Sequence, residues 1–452
     1  MTLSKIGRIL MALVASAALG LGMTACGGGT IGYMWVLGTQ YNQITAFKID
    51  DYTGNLTQSP HSPFSSGGTN PQSIVLKAGG RFVYVINTGV AATVSTATGS
   101  AGLPTTSTQG NISEFSVGGD GVLTFQQNFS SQGTTPVWAV IDSTGSFLYV
   151  MDKYSPAYCG AASCTVTPTN SPNFCTIAGC TSAGLTIPSD LNGSITAFSI
   201  AADTGRLTLV TNLQQKVGSV IATAPNYNQQ LTYFEVGAAP TMVKISSAGC
   251  MYALSQTSLY PLSVNSSTGQ LTVPTTGTIT LSGAANLSSI NTTGSYVYVT
   301  DSTNNTIYPL TSNSTACSLS TVSPGIVSNL ALTSHPVQSI TSSNGKFLYV
   351  VNQSSTANPL TPANSTISAF TIDSNGALAP LADSANPYAI GAGPVCVATD
   401  PTNQYLYTSN NTDSTVTGKI ANANTGILSD LSRGSVFPTT GKPSCMVISG
   451  NI

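Results

Sequence analysis

Charged side chains are scarce in this chain of 452 residues. It has 13 Lys and Arg and 15 Asp and Glu, or 6 % charged residues, where globular proteins average about 25 %. A nucleic-acid partner is excluded, because neutralising phosphates needs a stripe of Lys and Arg that the chain lacks. Disorder is disfavoured, since disordered chains combine low hydrophobicity with high net charge and 41 % of these residues are hydrophobic. The polar surface must therefore consist mainly of Ser, Thr, Asn and Gln.

The chain also lacks the common catalytic and metal-binding motifs. It contains only 2 His. It has no G-x-S-x-G elbow, no H-E-x-x-H pair, and no Walker or dinucleotide glycine loop in a suitable context. No D-x-[DN]-x-[DN]-G run indicates a calcium loop. We therefore predict no cofactor and no metal site.

Residues 1–25 are typical of an export signal. Lys5 and Arg8 precede an apolar run over 9–22 that is short for a membrane span. The following segment, ending in Cys26, resembles the lipobox of bacterial lipoproteins, although Met23 stands where Leu is usual. The resemblance implies cleavage before Cys26, lipidation of its thiol, and a Gly-rich tether over 26–32. We expect an exported lipoprotein held by this anchor at the periplasmic face of a membrane or at the cell surface; the alternative is an ordinary secretory signal.

The cysteines fit an oxidising compartment. The chain has 9 Cys, so 8 remain after Cys26, an even number. Four of them lie in one insertion, 153–192, with the spacing C-x4-C-x10-C-x4-C: Cys159, Cys164, Cys175 and Cys180. Two disulfides are favoured over zinc, because structural zinc sites usually show tighter pairs and no His lies nearby. The isolated cysteines are expected to be buried free thiols: Cys250, Cys317, Cys396 and Cys445.

A repeat of four strand-like elements runs through the rest of the chain. The first begins with Pro and continues into β-branched residues, as at Pro71. The second has an aromatic residue flanked by apolar residues, and it occurs seven times: at Trp35, Tyr84, Tyr149, Tyr252, Tyr298, Tyr349 and Tyr407. The third is an I-x-x-F strand, as at 44–47, and the fourth starts with Gly-x-Leu, as at 54–56. The unit around Tyr298 lacks the Pro and the Gly, with Leu287 and Leu319 as the nearest matches.

Seven units of four strands predict an all-β fold, a seven-bladed β-propeller with four-stranded antiparallel blades. The last Pro-led strand, 443–448, has no successor, and the first aromatic strand, near Trp35, has no Pro-led predecessor. The C-terminal strand is therefore predicted to be the innermost strand of the N-terminal blade and to close the ring.

The repeated [VL]-Tyr-Val-x-[ND], I-x-x-F and Gly-x-Leu-Thr motifs, with Ser62-Pro63-Phe64, resemble those of the YVTN-type, lactonase-like seven-bladed propellers. The resemblance covers roughly 33–450, and it places the propeller at 33–452. It implies this fold and, for some members, opening of lactones at the central channel. The motifs are packing and turn residues, so no catalytic residue of the family can be carried over.

Loops and channel-mouth residues are the candidate binding elements. Four long insertions, at 89–110, 153–192, 211–235 and 353–365, are predicted to emerge on one face. The residues just before the inner strands should ring the channel on that face: Asn70, Thr135, Ala239, His335, Gly393 and Lys442. Of these, Asn70, Thr135, His335 and Lys442 are the candidate ligand-binding residues. The candidate catalytic residues are His335 as general base, with Glu235 and Arg433.

Two functions follow from these features. The first is a monomeric, membrane-anchored binding module that takes a protein, glycan or small molecule on its loop-rich face. The second is a hydrolase that opens a sugar-derived or other lactone at the channel. A phosphorylated substrate fits the second function poorly, because the mouth offers few cations.

Overall fold

The computed structural model describes residues 29–90, 109–154, 192–211, 233–323, 325–327, 334–354 and 365–450. The described residues form seven antiparallel sheets arranged as the blades of a β-propeller, as predicted. Within these ranges, no helix is long and apolar enough to cross a membrane. Cys26 and the Cys-rich insertion lie outside the described residues.

Each blade runs from an innermost strand at the channel to an outermost strand at the rim. Blade 1 consists, in this order, of β33 (Pro443–Ile448), β1 (Thr30–Gly38), β2 (Gln43–Asp50), β3 (Leu56–Gln58) and β4 (Phe64–Ser65). Blade 2 consists of β5 (Pro71–Leu76), β6 (Phe82–Gly89), β7 (Gln109–Val117) and β8 (Leu123–Phe129). Blade 3 consists of β9 (Thr134–Ile141), β10 (Phe147–Tyr154), β11 (Asn192–Ile200), β12 (Leu207–Leu209) and β13 (Phe234–Ala238).

The other four blades have the same order of strands. Blade 4 consists of β14 (Pro240–Ile245), β15 (Cys250–Ser255), β16 (Ser258–Val264), β17 (Leu271–Thr272) and β18 (Ile279–Thr280). Blade 5 consists of β19 (Leu287–Thr293), β20 (Tyr296–Asp301), β21 (Thr306–Ser312) and β22 (Leu319–Thr321). Blade 6 consists of β23 (Ser334–Thr341), β24 (Phe347–Ser354), β25 (Ser365–Ile372), β26 (Leu378–Pro380) and β27 (Tyr388–Ile390). Blade 7 consists of β28 (Pro394–Thr399), β29 (Tyr405–Asn410), β30 (Thr415–Ala421), β31 (Leu428–Asp430) and β32 (Val436–Pro438).

Ring closure by the C-terminal strand is confirmed. Strand β33 pairs antiparallel with β1, with Trp35 opposite Val447 and Met34 opposite Ile448. The last strand of the chain is therefore the innermost strand of blade 1, and backbone hydrogen bonds between the two chain ends complete the ring.

The hydrophobic core lies between the blades, where each apolar sheet face is covered by its neighbour. Seven buried clusters occupy the seven blade interfaces, beginning with Trp35 of blade 1 and Val83 of blade 2 at the first. Strand residues alternate between the two faces of a sheet, so both faces of each central strand are apolar and buried. This arrangement explains why the chain needs few charged side chains for its fold.

The aromatic and glycine motifs of the repeat meet across the blade interfaces. Tyr407 Oη donates a hydrogen bond to Gly54 O at 2.6 Å, and Trp35 Nε1 donates to Gly121 O at 2.9 Å. The same bond joins four more pairs of blades, through Tyr84 and Gly205, Tyr149 and Gly269, Tyr298 and Gly376, and Tyr349 and Gly426. Gly54 has a φ of 68°, and a Cβ there would lie 2.3 Å from Cδ1 of Tyr405. Glycine is therefore required both by its conformation and by the aromatic ring that packs on it.

The expectation of free thiols was wrong for four cysteines. Cys250 of blade 4 is bonded to Cys317 of blade 5, and Cys396 of blade 7 to Cys445 of blade 1. Each bond joins neighbouring blades. The paired cysteines are 67 and 49 residues apart in sequence, and the bond between Cys396 and Cys445 lies at the interface where the chain ends close the ring.

Candidate functional site

We call the face from which the chain enters the inner strands the upper face. The six predicted mouth residues lie there, at or just before the start of their inner strands. Four of them have a left-handed backbone, with φ between 48° and 64°: Asn70, Thr135, Ala239 and Gly393. The repeat thus fixes the backbone conformation at most of these positions, whereas the type of side chain differs from blade to blade.

Each inner strand has an irregularity in its pairing near its upper end. In blade 2 the register shifts between Pro71 and Ser73, so that Gln72 is the extra residue. The same shift occurs in the other six blades. Such β-bulges re-aim side chains and expose carbonyl groups at the rims of closed sheets.

Side chains of neighbouring blades bind these exposed carbonyl groups. Ser444 Oγ of blade 1 donates to Pro71 O at 2.6 Å, and Ser288 Oγ of blade 5 donates to Pro336 O at 2.6 Å. Thr88, Gln353 and Asn411 bind the carbonyl groups of Pro136, Pro394 and Pro443 in the same way. These bonds link neighbouring blades at five of the seven interfaces around the mouth.

His335 is fixed at the upper interface between blades 5 and 6. Its Nδ1 lies 2.8 Å from Ser302 O, and the imidazole is partly buried. Because a carbonyl oxygen can only accept a hydrogen bond, Nδ1 must carry the proton, and the lone pair of the neutral ring is on Nε2. Among the described residues Nε2 has no hydrogen-bond partner. The arrangement leaves Nε2 available as a base.

A buried carboxylate organises the loop that holds His335. Asp301 accepts hydrogen bonds from the backbone N–H groups of Ala285, Asn286, Thr303 and Asn304 at 2.7–3.3 Å. The Ser302 carbonyl therefore sits on a loop that Asp301 ties to the segment before β19. Asp301 acts on His335 through this loop and does not contact it directly.

The structure does not bring the other two catalytic candidates to His335. Glu235 lies in β13, opposite Ser194 of β11, and two strands separate that position from the inner strand of blade 3. Arg433 lies between β31 and β32, on the outer edge of blade 7. The expected grouping of Glu235 or Arg433 with His335 at the channel is therefore wrong. Lys442 does lie at the mouth, where its side chain is exposed and its carbonyl accepts a hydrogen bond from Thr39 N at 2.8 Å.

The predicted placement of one insertion also needs correction. Both β12 and β13 pair with β11, so the segment between them interrupts the outermost strand of blade 3. It is not a connection between blades at the upper face, because β13, which follows it, still forms part of the outer edge of blade 3. The other three insertions start and end at the upper ends of their strands, and their interiors lie outside the described residues.

Asp152, the last residue of the [VL]-Tyr-Val-x-[ND] motif in blade 3, is a buried acid at the upper end of that blade. Its carboxylate accepts hydrogen bonds from Ser131 Oγ at 2.5 Å and from Gly133 N at 3.3 Å. Burial nevertheless raises the pKa of Asp152 to about 7, since the hydrogen bonds from Ser131, Gly133 and Thr196 do not replace the lost hydration.

Trp138 was missed by sequence reasoning, and it occupies the middle of the channel. It lies in the inner strand β9, two residues after Pro136 and directly after the β-bulge. It packs against the clusters between blades 3 and 4, between blades 4 and 5, and, across the ring, between blades 7 and 1. The indole therefore reaches residues on opposite sides of the ring. The other inner strands carry smaller or flexible residues at this level, such as Ser73 and Met242.

Comparisons with known proteins agree with this architecture. The family model described as lactonase, 7-bladed beta-propeller, matches residues 30–158 and 298–444. No curated protein matches the sequence. Among solved structures, the periplasmic gluconolactonase of Pseudomonas aeruginosa is 13 % identical, with a TM-score of 0.63 over 93 % of this chain and 99 % of that one. A candidate 6-phosphogluconolactonase of Bacteroides fragilis is 17 % identical, with a TM-score of 0.60 over 94 % of this chain and 99 % of that one. At such identities the structural likeness shows the fold alone.

Proposed function

The chain belongs to the lactonase family of seven-bladed β-propellers, and on this basis we propose that it hydrolyses a lactone at the upper channel mouth. Of the two functions that the sequence left open, the family match favours the hydrolase over the non-catalytic binding module. The observation that carries the proposal is the geometry of His335, whose Nδ1 is anchored on Ser302 O and whose Nε2 is unpaired among the described residues.

The chemistry needs one base and a group that stabilises negative charge. His335 Nε2 removes a proton from water as the oxygen attacks the lactone carbonyl carbon. The tetrahedral intermediate then expels the ring oxygen, which takes the proton back from the imidazolium. The ester C–O bond is broken, and the product is an open hydroxy acid. Lys442 supplies the positive charge at the mouth that interacts with the oxyanion.

The substrate class follows from the charge of the mouth. Among the six mouth positions, Lys442 is the one Lys or Arg. Binding of a phosphate group usually uses several Arg or Lys side chains. We therefore propose a neutral lactone, derived from a sugar or another hydroxy acid, in preference to a phosphorylated one.

The test is acid release from a panel of neutral and phosphorylated lactones by the purified protein. Replacing His335 with Gln keeps a polar side chain but removes the base, and the expected loss in kcat is about a hundredfold or more. The matched control is His61→Gln, because His61 is exposed at the break between β3 and β4 on the outer edge of blade 1. No turnover over the panel, or equal rates for wild type and His335→Gln, would contradict the proposal.

We also propose that the protein works outside the cytoplasm, as a lipoprotein attached through Cys26. The two disulfides between blades support an oxidising compartment. Radiolabelled palmitate should be incorporated into the wild type and not into Cys26→Ala. Incorporation into both would leave no role for Cys26 as the lipid acceptor.

A further inference from the structure

Strand β1 begins at the lower face of blade 1, the face opposite the upper channel mouth. It runs from Thr30 at the lower face to Gly38 at the upper face. At the lower end Thr30 pairs with Asp50 of β2, and Gly29 O accepts a hydrogen bond from Asp51 N at 3.0 Å. The start of β1 is therefore held against the turn that joins β2 to β3.

This turn carries an exposed aromatic side chain. Tyr52, the residue after Asp51, is 87 % exposed, and its backbone N–H donates to Asp50 Oδ1 at 3.2 Å. Asp50 Oδ1 also accepts a hydrogen bond from Thr53 N at 2.8 Å, so the backbone of the turn is fixed and Tyr52 stands at its tip. The corresponding residues of the other six blades, two before the Gly or Cys317 of the repeat, are smaller and not aromatic: Gly119, Asp203, Ser267, Thr315, Ser374 and Asn424. The aromatic ring thus occurs only in the blade in which Gly29 leads into the first strand.

The predicted lipid attachment site is close to this turn along the chain. Three peptide units join Cys26 to Gly29, and they span at most about 11 Å when fully extended. Acyl chains on the Cys26 thiol enter the hydrocarbon core of a bilayer, so Cys26 itself would lie in the headgroup layer, which is about 5–8 Å thick. Because Gly29 is bonded to the residue before Tyr52, the anchor keeps Tyr52 near this layer.

We propose that the lower rim of blade 1 lies against the membrane, with Tyr52 in the headgroup layer beside the anchor. This inference rests on the proposed lipidation of Cys26. Tyrosine is enriched at membrane–water interfaces, because its ring is apolar and its hydroxyl group stays hydrated. The turn contains Asp50 and Asp51 and no Lys or Arg, so attraction to anionic lipids does not contribute. The upper mouth then faces away from the bilayer, and a lactone reaches His335 from the aqueous phase.

Tryptophan fluorescence tests this orientation, because bromine atoms on lipid acyl chains quench an indole only at short range. Tyr52→Trp adds an indole at the lower rim. The matched control is Tyr41→Trp, since Tyr41 is 58 % exposed in the turn between β1 and β2, at the upper face of the same blade. The native indoles add the same background to both variants, because Trp35 is buried in the core and Trp138 lies in the channel.

The acylated protein, labelled with radioactive palmitate, is reconstituted into vesicles of phosphatidylcholine that is either unmodified or brominated near the headgroup end of its acyl chains. The emission that Tyr52→Trp adds to the wild type should be lost in the brominated vesicles, and that of Tyr41→Trp should be the same in both. Quenching of Tyr41→Trp, or of neither variant, in protein that carries the label would overturn the orientation. Protein without the label would contradict the lipidation of Cys26 and with it the anchor on which the orientation rests, so the two failures are distinguishable. Neither result depends on lactone hydrolysis.

Discussion

Cys250 and Cys317 form a disulfide in the two places that an aromatic residue and a glycine occupy at the other six blade interfaces. Cys250 stands two residues before Tyr252, as Phe82 stands before Tyr84. Cys317 stands two residues before Leu319, as Gly54 stands before Leu56, and it keeps the positive φ of that glycine, 50°. The covalent bond therefore replaces a packing contact between blades.

Because the disulfide and the aromatic–glycine contact occupy equivalent positions, each should be able to substitute for the other. Losing the disulfide in Cys250→Ala/Cys317→Ala should cost about 4 kcal/mol, as expected for a cross-link that closes 67 residues. Cys250→Phe/Cys317→Gly should recover part of that loss, because it restores the aromatic ring on glycine. Chemical denaturation of the two double variants and the wild type measures the difference.

The control is the single variant Cys250→Phe, which places a ring against the Cβ of Cys317. At the equivalent interface, a Cβ on Gly205 would lie 2.5 Å from Cδ1 of Phe82, so the single variant should be less stable than the double one. If Cys250→Phe proved as stable as Cys250→Phe/Cys317→Gly, the equivalence of the two interfaces would be refuted.

The fold could be predicted from the repeat because each repeated residue makes a packing contact, a hydrogen bond or a turn in the blade. The aromatic residue and the Gly recur because they form the same bond at six of the seven blade interfaces, as Tyr407 and Gly54 do. The order of elements along the chain predicted the pairing of β33 with β1 for the same reason.

The candidate site was less predictable because its residues depart from the repeat. Cys250 replaces the aromatic residue found at this position in the other six repeats, and Trp138 is larger than the residues at its position in the other inner strands. These departures from the repeat were the signal that could have found them. Glu235 was misplaced because a long insertion hides the second half of the outermost strand of blade 3. For His335 the position followed from the repeat, but its anchoring on Ser302 O depends on a side-chain contact that no spacing encodes.

Removal of residues 440–452 should abolish cooperative unfolding. The deletion takes away β33, leaves the inner edge of β1 unpaired and removes the disulfide partner of Cys396. Circular dichroism during heating measures the loss. The matched variant Cys445→Ser keeps β33 and should unfold cooperatively at a lower temperature, because it loses only the disulfide, worth about 4 kcal/mol. A deletion variant with the melting curve of the wild type would show that blade 1 closes without β33.

Asp152→Asn should stabilise the protein at pH 8 and not at pH 4. The folded-state pKa of Asp152 is raised from 3.8 to about 7, so folding binds a proton between these values, and stability falls as the pH rises through this window. The penalty is complete above pH 7 and amounts to ~4 kcal/mol at most. Asn removes it, and the repeat tolerates Asn here: Asn87 and Asn410 hold the equivalent positions, each donating from Nδ2 to a hydroxyl of the neighbouring strand.

Urea unfolding of wild type and Asp152→Asn from pH 4 to pH 8 measures this difference. Asn352→Asp provides the reverse change at the equivalent position of blade 6, and it should lose stability as the pH rises. A stability difference between wild type and Asp152→Asn that does not vary with pH would contradict the raised pKa.

Lys244→Met, in the inner strand β14 of blade 4, should make the protein more stable at neutral pH. The folded-state pKa of Lys244 lies below the ordinary value of 10.5, so the unfolded chain binds more protons, and stability rises with pH across the interval between the two values. Below that interval the folded state carries the full cost of an unpaired, partly desolvated cation, on the order of 1–3 kcal/mol. Met fills a similar volume without charge, so its advantage should be constant at low pH and shrink as the pH rises towards 10. Urea unfolding of wild type, Lys244→Met and Lys346→Met from pH 6 to pH 9 measures the effect, and the exposed Lys346 should show none. Equal stability of wild type and Lys244→Met at pH 7 would mean that the Lys244 ammonium already has a partner in the folded protein.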